Sequence, residues 1–300
     1  MFSQIFTVTA PIFIIVLLGY LWSVWKQKLD TETLSNLVVR VSTPCLVFTT
    51  LTRFHIEFEL MRQMALAAFL ALVLSFAIGA TVLKLSGLSL STLLPSLMHP
   101  NSGNIGLPLM LMAFGDEGLA LGIAYFVVIS ISQYTVGYGI SAGEFSLVRL
   151  LKQPLIYAVI ASLVVLVFDL PVPDWISKTT GLLGGIVIPA LLMVLGHSLA
   201  RLKISDLGLA RFLTAVRAIM GVIIGFFLIW LLALSGPPAG VVFLMCTMPI
   251  AVFNFVFAEH FNRSPEKVAG VIVVSTALTF VLLPLLVWVA MQMSTGAPIF

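Results

Sequence analysis

Long apolar runs separated by short polar turns fill almost the whole chain. A helix needs roughly 20 apolar residues to cross the hydrocarbon core of a bilayer, and the spacing of these runs predicts ten membrane-spanning helices. The predicted spans are residues 4–25, 33–53, 62–84, 92–114, 118–141, 153–169, 176–199, 210–234, 239–261 and 267–291.

The composition supports a membrane protein and argues against a soluble one. Hydrophobic residues make up 60% of the chain and charged residues 9%, with a mean hydropathy of +1.17. A soluble domain has about 25% charged residues, because its surface faces water. Soluble enzymes and nucleic-acid-binding proteins are therefore excluded. The net charge of +3 does not indicate a nucleic-acid partner, because the basic residues lie in short loops between apolar runs.

The loop charges predict how the chain is oriented. With the N-terminus outside, ten Lys and Arg residues fall in inner loops and three in outer segments. Arg40 and Arg217, which lie within or at the edge of spans, take no part in this count. Because basic loops stay on the cytoplasmic side, we expect a multi-pass protein of the inner (cytoplasmic) membrane with both termini outside. That arrangement requires an even number of spans.

Four similarities recur in the same order in the two halves of the chain, at offsets of 143, 145, 149 and 149 residues. The matched positions are Pro11 with Pro154, Pro44 with Pro189, Pro100 with Pro249, and Glu117 with Glu266. A unit of five spans is odd, so its second copy enters the membrane from the opposite side. We therefore predict two inverted five-span repeats, residues 1–150 and 151–300, an arrangement typical of secondary transporters.

The fourth predicted span contains the run PNSGNIGLP, from Pro100 to Pro108. Proline removes a backbone donor, and polar backbone left unsatisfied in hydrocarbon costs several kcal/mol per group. This segment should therefore be unwound and buried in protein or beside a wet cavity. The corresponding break in the ninth span lies at Pro249, followed by Asn254. The alternative is that these prolines only kink packed helices.

Two interrupted spans in corresponding positions predict a substrate site near the membrane midplane, where helices 4 and 9 cross. Free N–H groups at the half-helix N-termini favour an anion. No Asp or Glu falls at the centre of any predicted span, which disfavours cation exchange. The predicted substrate-binding residues are Pro100, Asn101, Ser102, Gly103, Asn104, Pro108, Pro249 and Asn254.

Four further polar residues are candidates for coupling or accessory roles, namely His99, Arg40, Gln133 and Tyr134. Each has a structural alternative. His99 can bond a carbonyl freed by the break, Arg40 can extend to the inner interface, and Gln133 and Tyr134 can form interhelical hydrogen bonds. His197, near the end of the seventh span, is expected at the interface. No metal site or cofactor is predicted.

The ten-span pattern, the run from Asn101 to Pro108 and the break at Pro249 resemble the auxin efflux carrier family of permeases, in a bacterial type with a short central loop. The resemblance covers essentially the whole chain. It implies a scaffold of spans 1, 2, 6 and 7 and a moving core of spans 3–5 and 8–10. It also implies an organic-anion substrate whose carboxylate contacts Asn101, Asn104 and Asn254.

The sequence therefore predicts an all-α membrane permease for mono- or dicarboxylates or auxin-like acids, working by alternating access and without enzymatic activity. Two alternatives stay open. A sodium-coupled symporter of the bile-acid type would need a sodium site containing a carboxylate, and an intramembrane enzyme would need a dyad such as His99 with Ser102. Which anion is carried, the coupling ion, the direction and a possible homodimer through scaffold spans are not decided by the sequence.

Overall fold

The computed structural model describes residues 2–54, 57–145 and 147–295, and all regular secondary structure within these ranges is helical. Helices satisfy their own backbone hydrogen bonds, which an apolar environment requires. In chain order they are α1 (Phe2–Val24), α2 (Thr31–Leu37), α3 (Thr43–Arg53), α4 (Phe58–Leu85), α5 (Leu90–Met98), α6 (Leu107–Ser132), α7 (Tyr138–Ala142), α8 (Leu147–Leu151), α9 (Pro154–Val167), α10 (Asp174–Gly185), α11 (Val187–Arg201), α12 (Leu207–Leu231), α13 (Pro237–Thr247), α14 (Phe253–His260) and α15 (Pro265–Thr295).

Within the described ranges, seven helical segments are long and apolar enough to cross a membrane, whereas the sequence predicts ten spans. Two shorter apolar helices, α9 and α13, fall below that length. One of the seven segments, Ser102–Ala142, has 41 residues and turns at Gly115, where φ is 65° and ψ is −155°. The seven are Ser3–Val24, Thr31–Arg53, Phe58–Leu85, Ser102–Ala142, Asp174–Arg201, Leu207–Leu231 and Pro265–Ser294.

In the described part of the chain, three π-helical turns interrupt the α-helices, at Val38–Ser42, Ser102–Gly106 and Gln133–Gly137. The first two come directly before helices whose second residue is a proline, Pro44 or Pro108. Because proline has no N–H to donate, the hydrogen-bond ladder shifts in the turn that precedes it. Such π-turns are frequent at functional sites.

Left-handed backbone positions recur at spacings of 143, 149 and 149 residues. The three pairs are Lys26 with Asp169, Gly87 with Gly236, and Gly115 with Ser264. The first pair follows α1 and α9, the second precedes α5 and α13, and the third precedes the last long helical stretch of each half. Three other left-handed positions, Gly143, Ala233 and Asn262, have no counterpart at these spacings.

Helices pack in pairs around a continuous apolar core. Helix α1 lies along α11, α3 lies along α9 and α10, α4 packs on α6, and α12 packs on α13 and α15. The approach of α1 to α11 depends on Gly196, where an added Cβ would clash with the carbonyl oxygen of Val16. Small residues at such contacts let membrane helices come close enough for extensive van der Waals contact.

We expect Gly196→Ala to destabilise the protein by roughly 1–3 kcal/mol, because the new methyl group forces α1 and α11 apart. Thermal unfolding in detergent, followed by size-exclusion chromatography after heating, measures the loss. Gly185→Ala is the matched control, since nothing lies within 4 Å of a Cβ added there. Equal melting temperatures for the two variants would contradict the close packing.

Candidate functional site

The two interrupted helices stop inside the protein, and their unwound segments pair with each other. The backbone N–H of Asn101 donates to the Pro249 carbonyl at 2.7 Å, and that of Ala251 donates to the His99 carbonyl at 3.1 Å. Together they form an isolated antiparallel bridge. These bonds satisfy backbone groups that neither helix can satisfy internally and that hydrocarbon would leave unpaired.

The predicted run in the first break folds as a compact, largely buried turn. Pro100 lies in the bridge and Pro108 is the second residue of α6. Asn101 organises the turn between them, because its Oδ1 accepts from the Asn104 backbone N–H at 3.2 Å. Ser102 begins the π-turn and is 2% exposed, whereas Asn104 is partly exposed.

Two buried side-chain amides near the paired segments have polar atoms without a hydrogen-bond partner among the described residues. Asn101 and Asn254 are each 3% exposed. The Nδ2 of Asn101 has no partner, and neither Oδ1 nor Nδ2 of Asn254 has one. Because an unsatisfied buried polar group costs about 1–3 kcal/mol, a ligand that accepts from these N–H groups would be bound favourably. A carboxylate is such a ligand.

The second break is held by groups from neighbouring helices. The backbone N–H of Ile250 donates to Oγ of Ser275 on α15 at 3.3 Å. Phe253, the first residue of α14, contacts the ring of Tyr134 edge-on, with ring centroids 5.4 Å apart. Tyr134 therefore lies beside the start of α14. The adjacent Gln133 has a buried Nε2 without a partner in the described part of the chain.

His99 is fully buried at the end of α5, with both ring nitrogens engaged. Its Nδ1 lies 3.0 Å from the Pro95 carbonyl and its Nε2 lies 3.1 Å from Oγ of Ser132. Because a carbonyl only accepts, Nδ1 carries the proton, and Nε2 accepts from the Ser132 hydroxyl. These contacts favour the structural role for His99 over a proton-carrying one.

We expect Ser132→Ala to destabilise the protein by about 1–3 kcal/mol, because it leaves the buried Nε2 of His99 without its partner. Melting temperature in detergent is the measurement. Ser130→Ala is the control, since Ser130 is also buried in α6 but makes no side-chain hydrogen bond in the described structure. An equal fall in melting temperature in both variants would show that the hydrogen bond from Ser132 to His99 does not contribute to stability.

Arg40, a predicted accessory residue, is not part of the paired segments. Arg40 is exposed in the π-turn that packs beside α9, α10 and α11, and no bond joins it to the paired segments in the described structure. His197 is buried in the protein, at 3% exposed, and its position at the membrane interface stays a prediction. It follows Gly196, where α11 comes into close contact with α1.

Arg217 lies within an apolar run of the sequence, and no site role is predicted for it there. In the structure Arg217 is 4% exposed on α12. Its Nη2 donates to the Cys246 carbonyl at 2.9 Å, while its Nε has no partner among the described residues. The side chain lines two small cavities, one beside Pro100 and Tyr125 and the other beside Pro249.

Apolar helices of membrane-spanning length and paired helix breaks carrying free buried amides define a polytopic membrane protein of the transporter class. A family model described as "Membrane transport protein" matches residues 4–145 and 140–289. The chain belongs to this family, the auxin efflux carrier family. It is a membrane transporter and not an enzyme, which confirms both sequence predictions.

Two archaeal proteins are similar along nearly the whole chain. "Uncharacterized transporter MJ1031" of Methanocaldococcus jannaschii is 24% identical over 301 residues, covering 94% of this chain and 97% of the relative. An "Uncharacterized transporter" of Methanothermobacter thermautotrophicus is 28% identical over 294 residues, covering 91% and 94% of the two chains. The similarity therefore extends over both halves and is not confined to the paired segments.

Proposed function

We propose that this transporter is a permease for small organic anions, such as mono- or dicarboxylates or auxin-like acids, that works by alternating access around the paired segments. One observation carries the proposal. Two helix breaks lie side by side in the protein interior, and buried amide donors of Asn101 and Asn254 have no partner among the described residues. A carboxylate would satisfy these donors, whereas a cation would not.

Ten spans follow if each interrupted helix counts once and Gly115 divides the long helical segment. Span 4 is then α5 with the first part of α6, span 9 is α13 with α14, and the short helix α9 is span 6. The spacings of the left-handed pairs, 143 and 149 residues, match the offsets between the sequence halves. We therefore propose that residues 1–150 and 151–300 are inverted repeats.

The packing of the helices supports the same symmetry. Exchanging the two halves converts α1 into α9 and α11 into α3, so the contact of α1 with α11 becomes the contact of α9 with α3, and both are present. The packing of α4 on α6 similarly corresponds to that of α12 on α15. We assign the first two spans of each half, spans 1, 2, 6 and 7, to the scaffold and spans 3–5 and 8–10 to the moving core.

We place the protein in the cytoplasmic membrane with both termini outside, because basic residues are concentrated in the proposed inner loops. A homodimer would use the scaffold, whose outer faces carry exposed apolar residues such as Ile160 and Trp175. The sodium-coupled alternative is weaker, since no Asp or Glu in the described residues is buried to complete a sodium site.

Transport by purified protein in liposomes tests the proposed function. Labelled malate, malonate, lactate and indole acetate are offered separately, with and without sodium and proton gradients. We expect at least one of these anions to enter at a saturable rate well above that of empty liposomes, while a labelled amine does not. Absence of flux for every anion, with a well-folded protein, would exclude the organic-anion assignment.

We expect Asn254→Ala and Asn104→Ala to weaken binding of the transported anion by about 10–100-fold, as expected for a hydrogen bond to a charged group. Asn254 makes no side-chain bond in the described structure, so its loss should not lower the melting temperature. Asn36→Ala, an exposed amide on α2, is the control. Binding is measured by ligand-induced thermal stabilisation, and unchanged affinity in both variants would remove these residues from the site.

A further inference from the structure

Arg217 is the one buried charge in the described structure. Every other Asp, Glu, Lys and Arg whose side chain is described is exposed. An arginine stays protonated in proteins, and an isolated charge is costly to bury. No carboxylate lies within ion-pair distance of Arg217 in the part of the chain described. Something other than an acidic side chain must therefore compensate for its charge.

The compensating group is the C-terminal end of a half-helix. Helix α13 stops at Thr247, so its last carbonyls lack helical partners and carry partial negative charge. One of them, the Cys246 carbonyl, accepts from Nη2 of Arg217 at 2.9 Å. Gly221, one turn further along α12, lets the two helices come this close, because a Cβ there would clash with the same carbonyl oxygen.

At the C-terminal end of α13, the Arg217 guanidinium neutralises the partial negative charge of the carbonyls, as a bound cation would. In transporters with interrupted helices, half-helix C-terminal ends and unwound carbonyls are the groups that hold Na⁺. Here a tethered positive charge already contacts such an end. A sodium ion entering the same place would be repelled by the guanidinium at short range in a medium of low dielectric constant.

The position of the guanidinium also connects it to both breaks. It lines a cavity with Pro100 of the first break and another with Pro249 of the second. A fixed positive charge beside the paired segments lowers the free-energy cost of moving an anion from water to them. Only one half supplies this charge, because α4 has no charged residue between Arg62 and Lys84.

We propose that Arg217 is the resident cation of the transport core. It takes the place of a coupling sodium ion at the end of α13 and balances the charge of the bound anion, so that transport is independent of sodium. This inference rests on the proposed anion transport and specifies how the charge of that same site is balanced.

The wild-type protein gives the first test. Flux of the transported anion into liposomes is compared in sodium and choline media of equal ionic strength. We expect rates that agree within about twofold, since no sodium enters the site. Flux that requires sodium would overturn the role of Arg217 but leave the anion permease standing. Absence of flux in both media would instead contradict the proposed function.

The second test restores the missing charge from solution. We expect Arg217→Ala to reduce flux by about tenfold or more, Arg217→Lys to retain part of it, and millimolar guanidinium ion to raise the rate of the alanine variant. Exposed Arg211, on the same helix, is the control, and Arg211→Ala should keep wild-type flux. A merely structural side chain would not be replaced by a soluble cation.

Two results of this second test would overturn the proposal. One is wild-type flux in Arg217→Ala. The other is an alanine variant with wild-type melting temperature whose lost flux neither guanidinium nor sodium restores. If the alanine variant does not fold, the sodium comparison on the wild-type protein still decides the question, because it needs no substitution.

Discussion

The hydrogen bonds between the two unwound segments are the constraint on which the rest of the structure depends. A helix interrupted within the membrane exposes N–H and C=O groups that lipid cannot satisfy. In this protein each break supplies the partners for the other, through the bonds from Asn101 to Pro249 and from Ala251 to His99. The two breaks must therefore lie side by side. Asn101 lies in one of the paired segments, and Asn254 follows the other by three residues.

Much of the helical pattern could be predicted from the sequence, because apolar length alone determines where a helix can cross a bilayer. Helix α4 extends over Phe58–Leu85 and α12 over Leu207–Leu231, within four residues of the predicted ends. The breaks were predictable too, since Pro and Gly cannot be accommodated in an uninterrupted lipid-facing helix. The sequence also predicts that helices 4 and 9 cross, but not which backbone groups pair, since those bonds depend on tertiary contacts between distant segments.

Burial of single polar residues was the part that the sequence could not decide. Arg40 and Arg217 both lie within or at the edge of apolar runs, yet Arg40 is exposed and Arg217 is buried. A helix that is apolar all round has no polar face to indicate which side turns toward its neighbours. Gly196 and Gly221 were the available signals, because small residues mark the faces where helices meet.

The two halves share a backbone pattern but not their chemistry. Left-handed turns recur at matching offsets, whereas, among the described residues, the buried arginine occurs only on α12 and the glycine-rich turn only in the first break. Under the proposed mechanism this division has a physical reason. Inward- and outward-open states of similar energy need halves of similar shape, whereas one bound anion needs one set of charges and amide donors. Selection for interconversion of the inward- and outward-open states therefore acts on the backbone. Selection for anion binding acts on a few side chains, which need not occur in both halves.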